Sequence, residues 1–364
     1  VAKDVVSGRA LCLSGGGYRA VGFHVGALWR LDELGLLPTL DRVSTVSGGS
    51  IVGALLGLRW SGLRFVGGVS TNLRSLVLEP LLALTDHTLD APNVGWALLP
   101  GASIAERMEQ AWRRHLVGDA TLADLPADGD GPRFVLNATS LQTGGLVRLA
   151  RPYVADHALG RAVVPELPLA RAVAASSAFP PVLSPIRLDL GGARWLDPAP
   201  PGLDPRLRAS LALADGGVYD NLGLEAAWKY RSLLVVDAGG RLAPDVDPGT
   251  DWARQALRVL EVTDHQVRNL RKRTLLDALV RGERDGAYVG IRTPLARYPV
   301  ADPHPASEAG AGALAELPTR LRRMDPLVRK RLVNWGYAAA DASLRSFVTP
   351  GAARGALPFP EAPI

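Results

Sequence analysis

One cysteine, two methionines and four lysines (Lys3, Lys229, Lys272 and Lys330) are all that 364 residues contain of those types. A lone cysteine excludes any disulfide within the chain and leaves the redox compartment open. Cys12 lies in the apolar run Ala10-Leu11-Cys12-Leu13 and reads as a buried, inert thiol. No apolar run approaches the ~18–20 residues that a membrane-spanning helix needs. Val1-Ala2-Lys3-Asp4 lacks the apolar stretch of a secretory leader. The expected location is therefore the cytoplasm or the face of a membrane, with export left open. A large excess of one charge is missing too. The net charge of +5 fits loose attraction to an anionic membrane or to nucleic acid and establishes neither; no nucleic-acid partner is expected. No His, Cys, Asp and Glu cluster has metal-ligand spacing, so no metal or other cofactor is expected. Internal repeats and low-complexity blocks are also lacking.

What is abundant is glycine, 39 residues, within a composition that is 47% hydrophobic. That is ample for a sizeable core, while the length fits one large domain or two ordinary ones. The glycines matter most between Leu11 and Leu58. This stretch reads as an apolar strand, the triplet Gly15-Gly16-Gly17, a helix from about Tyr18 to Leu34, a strand from Arg42 to Val46, then Ser47-Gly48-Gly49 and a helix from Ser50 to Leu58. Val21, Val25, Leu28 and Leu31 form one helical stripe that Gly35 closes. The second helix is apolar or small all round, as a helix buried in a core is. Two strand-to-helix turns then bring backbone N–H groups to one end of a parallel sheet.

Ser47 stands where a sharp turn would lift its hydroxyl clear of the backbone and leave the next N–H facing a substrate oxyanion. The usual signature has glycine two residues before the serine; here that residue is Thr45. A plain helix-capping serine is the competing reading. The glycine triplet can present N–H groups to a developing oxyanion. It also fits a dinucleotide fingerprint, Gly15-x-Gly17-x-x-Ala20, or a simple tight turn. The fingerprint wants an acid closing the second strand, and Ser47 occupies that place while Asp41 opens the strand. Arg19 puts a cation in the first turn of a helix, against the macrodipole. It suits either a substrate phosphate or the carbonyls of the glycine loop.

A serine nucleophile needs a base. Asp215, in Asp215-Gly216-Gly217 after an apolar run, is the best-placed acid. Only His265 and His304 follow it in the order Ser, Asp, His, and neither has the setting of an oriented base; His24 reads as a surface or packed residue. The simplest arrangement is a dyad in which the Asp215 carboxylate activates Ser47 directly.

Further along, Phe134 to Thr139 and Ser232 to Val236 read as strands, with Leu146 to Leu149 pairing back on the first. Pro168 to Phe179 and Leu224 to Tyr230 read as helices, Asp251 to Arg281 as one long helix, and Pro318 to Arg345 as two helices broken near Pro326. Alternating helices and unbroken apolar strands imply an α/β fold, a mostly parallel central sheet with helices on both faces. The expected organisation is a single catalytic domain over 8–349. Its core is 8–240, a helical cap insertion lies at about 60–130, helical C-terminal additions occupy about 251–345, and 350–364 is a flexible tail.

Taken together, Gly15-Gly16-Gly17-Tyr18-Arg19, Ser47-Gly48-Gly49 and Asp215-Gly216-Gly217, in that order, resemble the patatin-like phospholipases of bacterial type. Asn137 to Gly144 and Ala174 to Pro181 look like further family blocks, and the resemblance covers about 8–240, with Asn334-Trp335-Gly336-Tyr337 a candidate extension. It implies an α/β sandwich and a Ser47–Asp215 dyad without histidine. It also implies an oxyanion hole from Gly15, Gly16 and Gly17 with Gly48, Arg19 as a loop-stabilising or phosphate-binding residue, and hydrolysis of acyl esters in lipids. The expected partners are a lipid or ester substrate and a peripheral membrane surface. Trp60, Phe65, Trp96, Leu98 and Leu99 are candidates to line an acyl groove or to be ordinary core. Arg268, Arg271, Lys272 and Arg273 are candidates to face anionic lipid or to form a solvated helix face. The rival function is a catalytically silent or partner-activated lipid-binding protein on the same fold.

Overall fold

The computed structural model describes residues 5–89, 104–181 and 183–364. Eleven strands form one sheet: β1 Val6–Leu13, β2 Arg42–Val46, β3 Arg133–Ser140, β4 Leu146–Ala150, β5 Tyr153–Asp156, β6 Gly160–Val163, β7 Ile186–Asp189, β8 Arg194–Trp195, β9 Ser210–Asp215, β10 Tyr230–Asp237 and β11 Asp285–Gly290. The helices are α1 Gly17–Glu33, α2 Gly48–Arg59, α3 Glu79–Leu84, α4 Ile104–Trp112, α5 Leu169–Ser176, α6 Arg206–Ala209, α7 Gly217–Asp220, α8 Trp252–Val280, α9 Glu308–Ala315 and α10 Pro326–Phe347.

The main path of the sheet is β8-β6-β5-β4-β3-β2-β1-β10-β11. From β3 to β11 the pairs are parallel, as the apolar strands and intervening helices imply. Beyond β3 they turn antiparallel. The expected parallel sheet is therefore the core of a mixed one.

One junction in this sheet positions everything that follows. β3 carries β4 on one edge, from Leu136 to Thr139. Its other edge is shared. β2 runs parallel along it and stops at Val46, opposite Asn137. β9 comes antiparallel from the far end and stops at Asp215, opposite Ala138. Two strands thus meet end to end along one edge of β3, and their ends are Ser47's neighbour and Asp215. A separation of 168 residues in sequence (215 − 47) becomes adjacency.

α1 is buried on almost every face, with α10 packed along it. Glycine sets that distance. A Cβ on Gly26 would lie 2.0 Å from the Val333 carbonyl oxygen, and one on Gly336 would lie 2.0 Å from that of Phe23. The two backbones are in direct contact.

Several expectations change. Residues 318–325 are not helical; α10 starts at Pro326, with the Asp325 carboxylate accepting the N–H groups of Leu327 (2.9 Å) and Val328 (3.1 Å). Proline at the first helical position and a capping aspartate make a start, not a break inside a helix. The expected helix from Leu224 to Tyr230 is absent: residues 225–229 are turns that lead into β10. The closing segment is no frayed tail. Asn334 Nδ2 donates to the carbonyls of Phe359 (2.7 Å) and Ala362 (2.8 Å), and the Ala362 side chain is buried. Trp60 does not line a groove; it is buried, with its ring 5.8 Å from those of Phe65 and Phe134. Trp96, Leu98 and Leu99 lie outside the described residues.

Candidate active site

Ser47 has φ 51° and ψ −118°, the one non-glycine residue with positive φ among the described residues. Such a conformation costs on the order of 1–3 kcal/mol and persists only where its surroundings impose it. A layer of buried hydroxyls does so here. The Ser47 N–H donates to Ser176 Oγ (3.2 Å), and Ser176 Oγ donates to the Asn137 carbonyl (2.6 Å). A hydroxyl has one proton, so Ser50 Oγ, 2.7 Å away, must donate to Ser176. Thr45 Oγ1 in turn lies 2.9 Å from Ser50 Oγ. Asn137 Nδ2 fixes the strand end by donating to the Thr45 carbonyl and to Ser44 Oγ, both at 2.9 Å. Thr45 stands where glycine is usual, and the helix supplies the missing space. A Cβ on Gly53 would lie 2.5 Å from Thr45 Cγ2.

The glycine turn lies directly against the serine turn. A Cβ on Gly15 would lie 3.1 Å from Ser47 Cβ, and one on Gly48 would lie 2.5 Å from the Gly17 carbonyl oxygen. Gly16 (φ 146°) and Gly17 (φ 58°) hold conformations that suit glycine. α1 and α2 start here side by side, so both positive helix ends converge beside Ser47. Among the described residues, no protein group accepts from the N–H of Gly16, Gly17 or Gly48. Gly15 differs: its N–H donates to the Asn221 carbonyl (3.2 Å). It shapes the turn and has no free donor.

Arg19 is buried and reaches neither the glycine-loop carbonyls nor solvent. Its guanidinium donates to the carbonyls of Ala238 (3.0 Å) and Leu317 and to Thr319 Oγ1 (3.1 Å). Burial, with Arg292 and Arg268 nearby, lowers its pKa to about 10. The segments it ties down are those that wall the glycine turn. Arg320, next to Thr319, accepts the Tyr18 N–H (3.0 Å), and the Ala238 carbonyl would lie 3.0 Å from a Cβ on Gly16. Arg19 therefore acts on the turn through its neighbours, and its burial removes it from the phosphate-binding role.

Asp215 closes β9. Its N–H donates to the Ala178 carbonyl (2.8 Å), and the Gly216 N–H donates to that of Ser176 (3.2 Å). The C-terminal end of α5 thus joins both turns. The Gly217 N–H donates to Asp215 Oδ1 (2.7 Å), and the Ser47 hydroxyl lies close enough to the same carboxyl group to lower its pKa as a donor would. Burial pushes the Asp215 pKa up to about 7; those two donors oppose the rise, and the charge of Asp264 on α8 adds to it. A carboxyl group poised there can both take and return a proton near neutrality.

No histidine bonds to either residue among the described residues. His24 is fully buried under the glycine turn, its Nε2 2.9 Å from the Ser14 carbonyl oxygen, and burial lowers its pKa to about 4. His304 lies 3.7 Å from Asp341, and His265 contacts Asn269. Cys12 is buried, its thiol pKa raised by burial. Of the four basic residues singled out on α8, three are turned towards the protein: Arg268 donates to the Gly240 carbonyl, Arg271 pairs with Glu225 at 3.2 Å, and Lys272 sits 4.6 Å from the Tyr288 ring centroid, while Arg273 is exposed.

Sequence reasoning gave no role to Ser176, Asn137 or Asn221. Two of them stood in recognised blocks, Asn137 to Gly144 and Ala174 to Pro181. A polar pair ending an alanine-rich helix was the available signal.

A profile described as patatin-like phospholipase matches residues 11–228. No curated protein matches the chain. Among solved structures, human GIVD cytosolic phospholipase A2 aligns over 92% of this chain and 58% of its own, with 14% identity and a TM-score of 0.52. The same human protein in complex with methyl gamma-linolenyl fluorophosphonate aligns over 92% and 57%, with 16% identity and a TM-score of 0.51. VipD from Legionella pneumophila aligns over 93% and 66%, with 14% identity and a TM-score of 0.36. The chain spans less than two thirds of the length of the human protein. At these identities the likeness to it is one of fold.

Proposed function

The chain belongs to the patatin-like phospholipase family, a family of lipid hydrolases, and from that premise we propose that it cleaves carboxylic esters of phospholipids or lysophospholipids through a Ser47–Asp215 dyad. The observation that carries this is the junction on β3, where a strained serine stands against a buried carboxyl group poised near neutrality. Ionised Asp215 takes the Ser47 proton as Oγ attacks the ester carbonyl carbon. The oxyanion forms against the free N–H groups of Gly16, Gly17 and Gly48, with Gly15 holding the turn. Each such donor is worth roughly 2.7–4 kcal/mol of barrier. Collapse expels the alcohol, which leaves with the proton from Asp215. Water then gives a proton to Asp215 and attacks the acyl-enzyme, releasing the fatty acid and returning the proton to Ser47. Arg19 acts only as a brace for the glycine turn.

A fluorophosphonate, the reagent class bound to the human neighbour, is the direct probe. The expected result is stoichiometric labelling, abolished in Ser47→Ala, with acyl release from esters and phospholipid vesicles falling at least ~10³-fold in Ser47→Ala and Asp215→Ala. If both variants keep the wild-type rate, the dyad is wrong. A well-folded chain that is never labelled, with or without vesicles, favours the silent lipid-binding protein.

A further inference from the structure

One side of α8 adjoins the candidate site: Asp264 lies close enough to raise the Asp215 pKa, Arg268 holds the Gly240 carbonyl, and Arg271 stacks on Tyr219 beside Asp215's own turn, while Arg254, Glu261, Arg273 and Asp277 stay exposed off that side. The opposite stripe follows the spacing 252, 256, 259, 263, 266, 270, that is Trp252, Ala256, Val259, Thr263, Gln266 and Leu270. No member of it is charged. Trp252 is 84% exposed, Val259 63% and Leu270 56%, with Leu260 and Val262 exposed beside them. Residues 252–270 span nearly 30 Å at about 1.5 Å per residue. An uncharged face of that length over water is what interfacial helices present.

We propose that this stripe is the surface by which the protein lies on a phospholipid bilayer. The inference rests on the lipid-hydrolase reading, because that is what ties the face to its occupant. The helix whose inner side adjoins the catalytic acid turns its outer side to the phase that holds the substrate. Trp252 suits the bilayer interface, where an amphipathic ring sits at headgroup level. The absence of charge on the stripe points to a zwitterionic surface. A second copy of the chain is the poorer fit. Thr263 and Gln266 occupy the middle of the stripe, where a helix–helix seam wants large apolar knobs.

Binding is measured in a Ser47→Ala background, so that it reads docking apart from catalysis, with phosphatidylcholine vesicles and a matched anionic set. Wild-type emission is expected to shift to the blue on vesicles, and Trp252→Phe to lose the shift. Val259→Asp combined with Leu270→Asp is expected to weaken vesicle binding at least tenfold. With Ser47 in place, the same pair should cut hydrolysis of vesicle phospholipid at least tenfold and leave a soluble short-chain ester untouched. Both positions are exposed, so the fold is spared. Unchanged vesicle binding in the double variant overturns the proposal. So does binding that needs the anionic lipid, or a dimer that the double variant dissociates while vesicle binding persists. Failure on the soluble ester and on the fluorophosphonate would remove the dyad, while the binding arm still reports on the stripe.

Discussion

Two turns meet on the edge of β3, and they are held in opposite ways. The serine turn is strained in its backbone and satisfied in its hydrogen bonds: Ser176, Ser50, Thr45 and Asn137 fix it from inside the core. The aspartate turn carries its cost as electrostatics. Its carboxyl group is buried, accepts the Gly217 N–H, and has another carboxylate in its field. On the proposed reading, one turn stores conformational strain that orients a nucleophile and the other stores desolvation that makes a base. A buried carboxylate without a cationic partner is expensive, and a protein built only for stability would not keep it.

The largest effect expected from that contrast is at Asp215. Asp215→Asn removes the proposed base and should lower kcat at least ~10³-fold. It should also stabilise the fold at high pH. The folded carboxyl group releases its proton at about 7 and the unfolded one at 3.8, so folding binds protons between those values. The wild type therefore gains stability as pH falls from about 7 towards 3.8, and lacks that gain above 7. The variant is free of this dependence. Its advantage should be greatest near pH 8, up to about 4 kcal/mol, and fade towards pH 4. Chemical denaturation of both proteins across that range measures it. An advantage that is flat with pH would mean that Asp215 is not desolvated. Ser47→Ala should show no comparable pH-dependent gain.

How much of this contrast could be read from the amino acids differs between the turns. Ser47 was legible because an apolar strand, a serine and two glycines lie within a few residues, and local pattern carries such turns. Asp215 was legible as a candidate because two glycines flank it. Their meeting was not, since it depends on β9 running antiparallel to fill the rest of an edge that β2 leaves free, a pairing with no local signal. The same limit hid Ser176, whose partners stand 39 and 129 residues away. Arg19 was visible as an anomaly in a helix's first turn. Its true partners, Ala238, Leu317 and Thr319, come from loops far along the chain. The parallel core of the sheet was legible from strand composition; the antiparallel wing of short strands was not.

Ser176 offers the next test, on the side of the serine turn. Ser176→Ala leaves the Ser47 N–H without its acceptor and the Asn137 carbonyl without its donor, and takes from Ser50 one of its two hydroxyl partners. The cost should be about 1–3 kcal/mol of stability, because buried polar groups lose partners. Catalysis should fall roughly 10–100-fold in kcat with KM little changed, as expected when a nucleophile is misplaced and substrate binding is kept. Ser177→Ala is the control. That hydroxyl bonds only the Val173 carbonyl one helical turn back, so both effects should be small. Equal effects from the two serines would remove Ser176 from the support of Ser47.

The smallest effect should come from Asp264, and it sharpens the other side of the comparison most directly. Asp264 makes no hydrogen bond to Asp215 and acts only by its charge, which holds the Asp215 pKa up. Asp264→Asn removes that repulsion, so Asp215 ionises at lower pH. The acid limb of kcat/KM should move down, with activity at pH 6 rising by up to about threefold and activity above pH 8 unchanged. Salt should reduce the difference between wild type and variant, since a half-exposed charge acting across α8 is screened. A soluble ester must be used, so that docking on lipid does not enter the profile. An unchanged limb would show that burial alone tunes the base. A limb that moves up would mean that the Asp264 side chain supports ionised Asp215 through a contact and does not repel it.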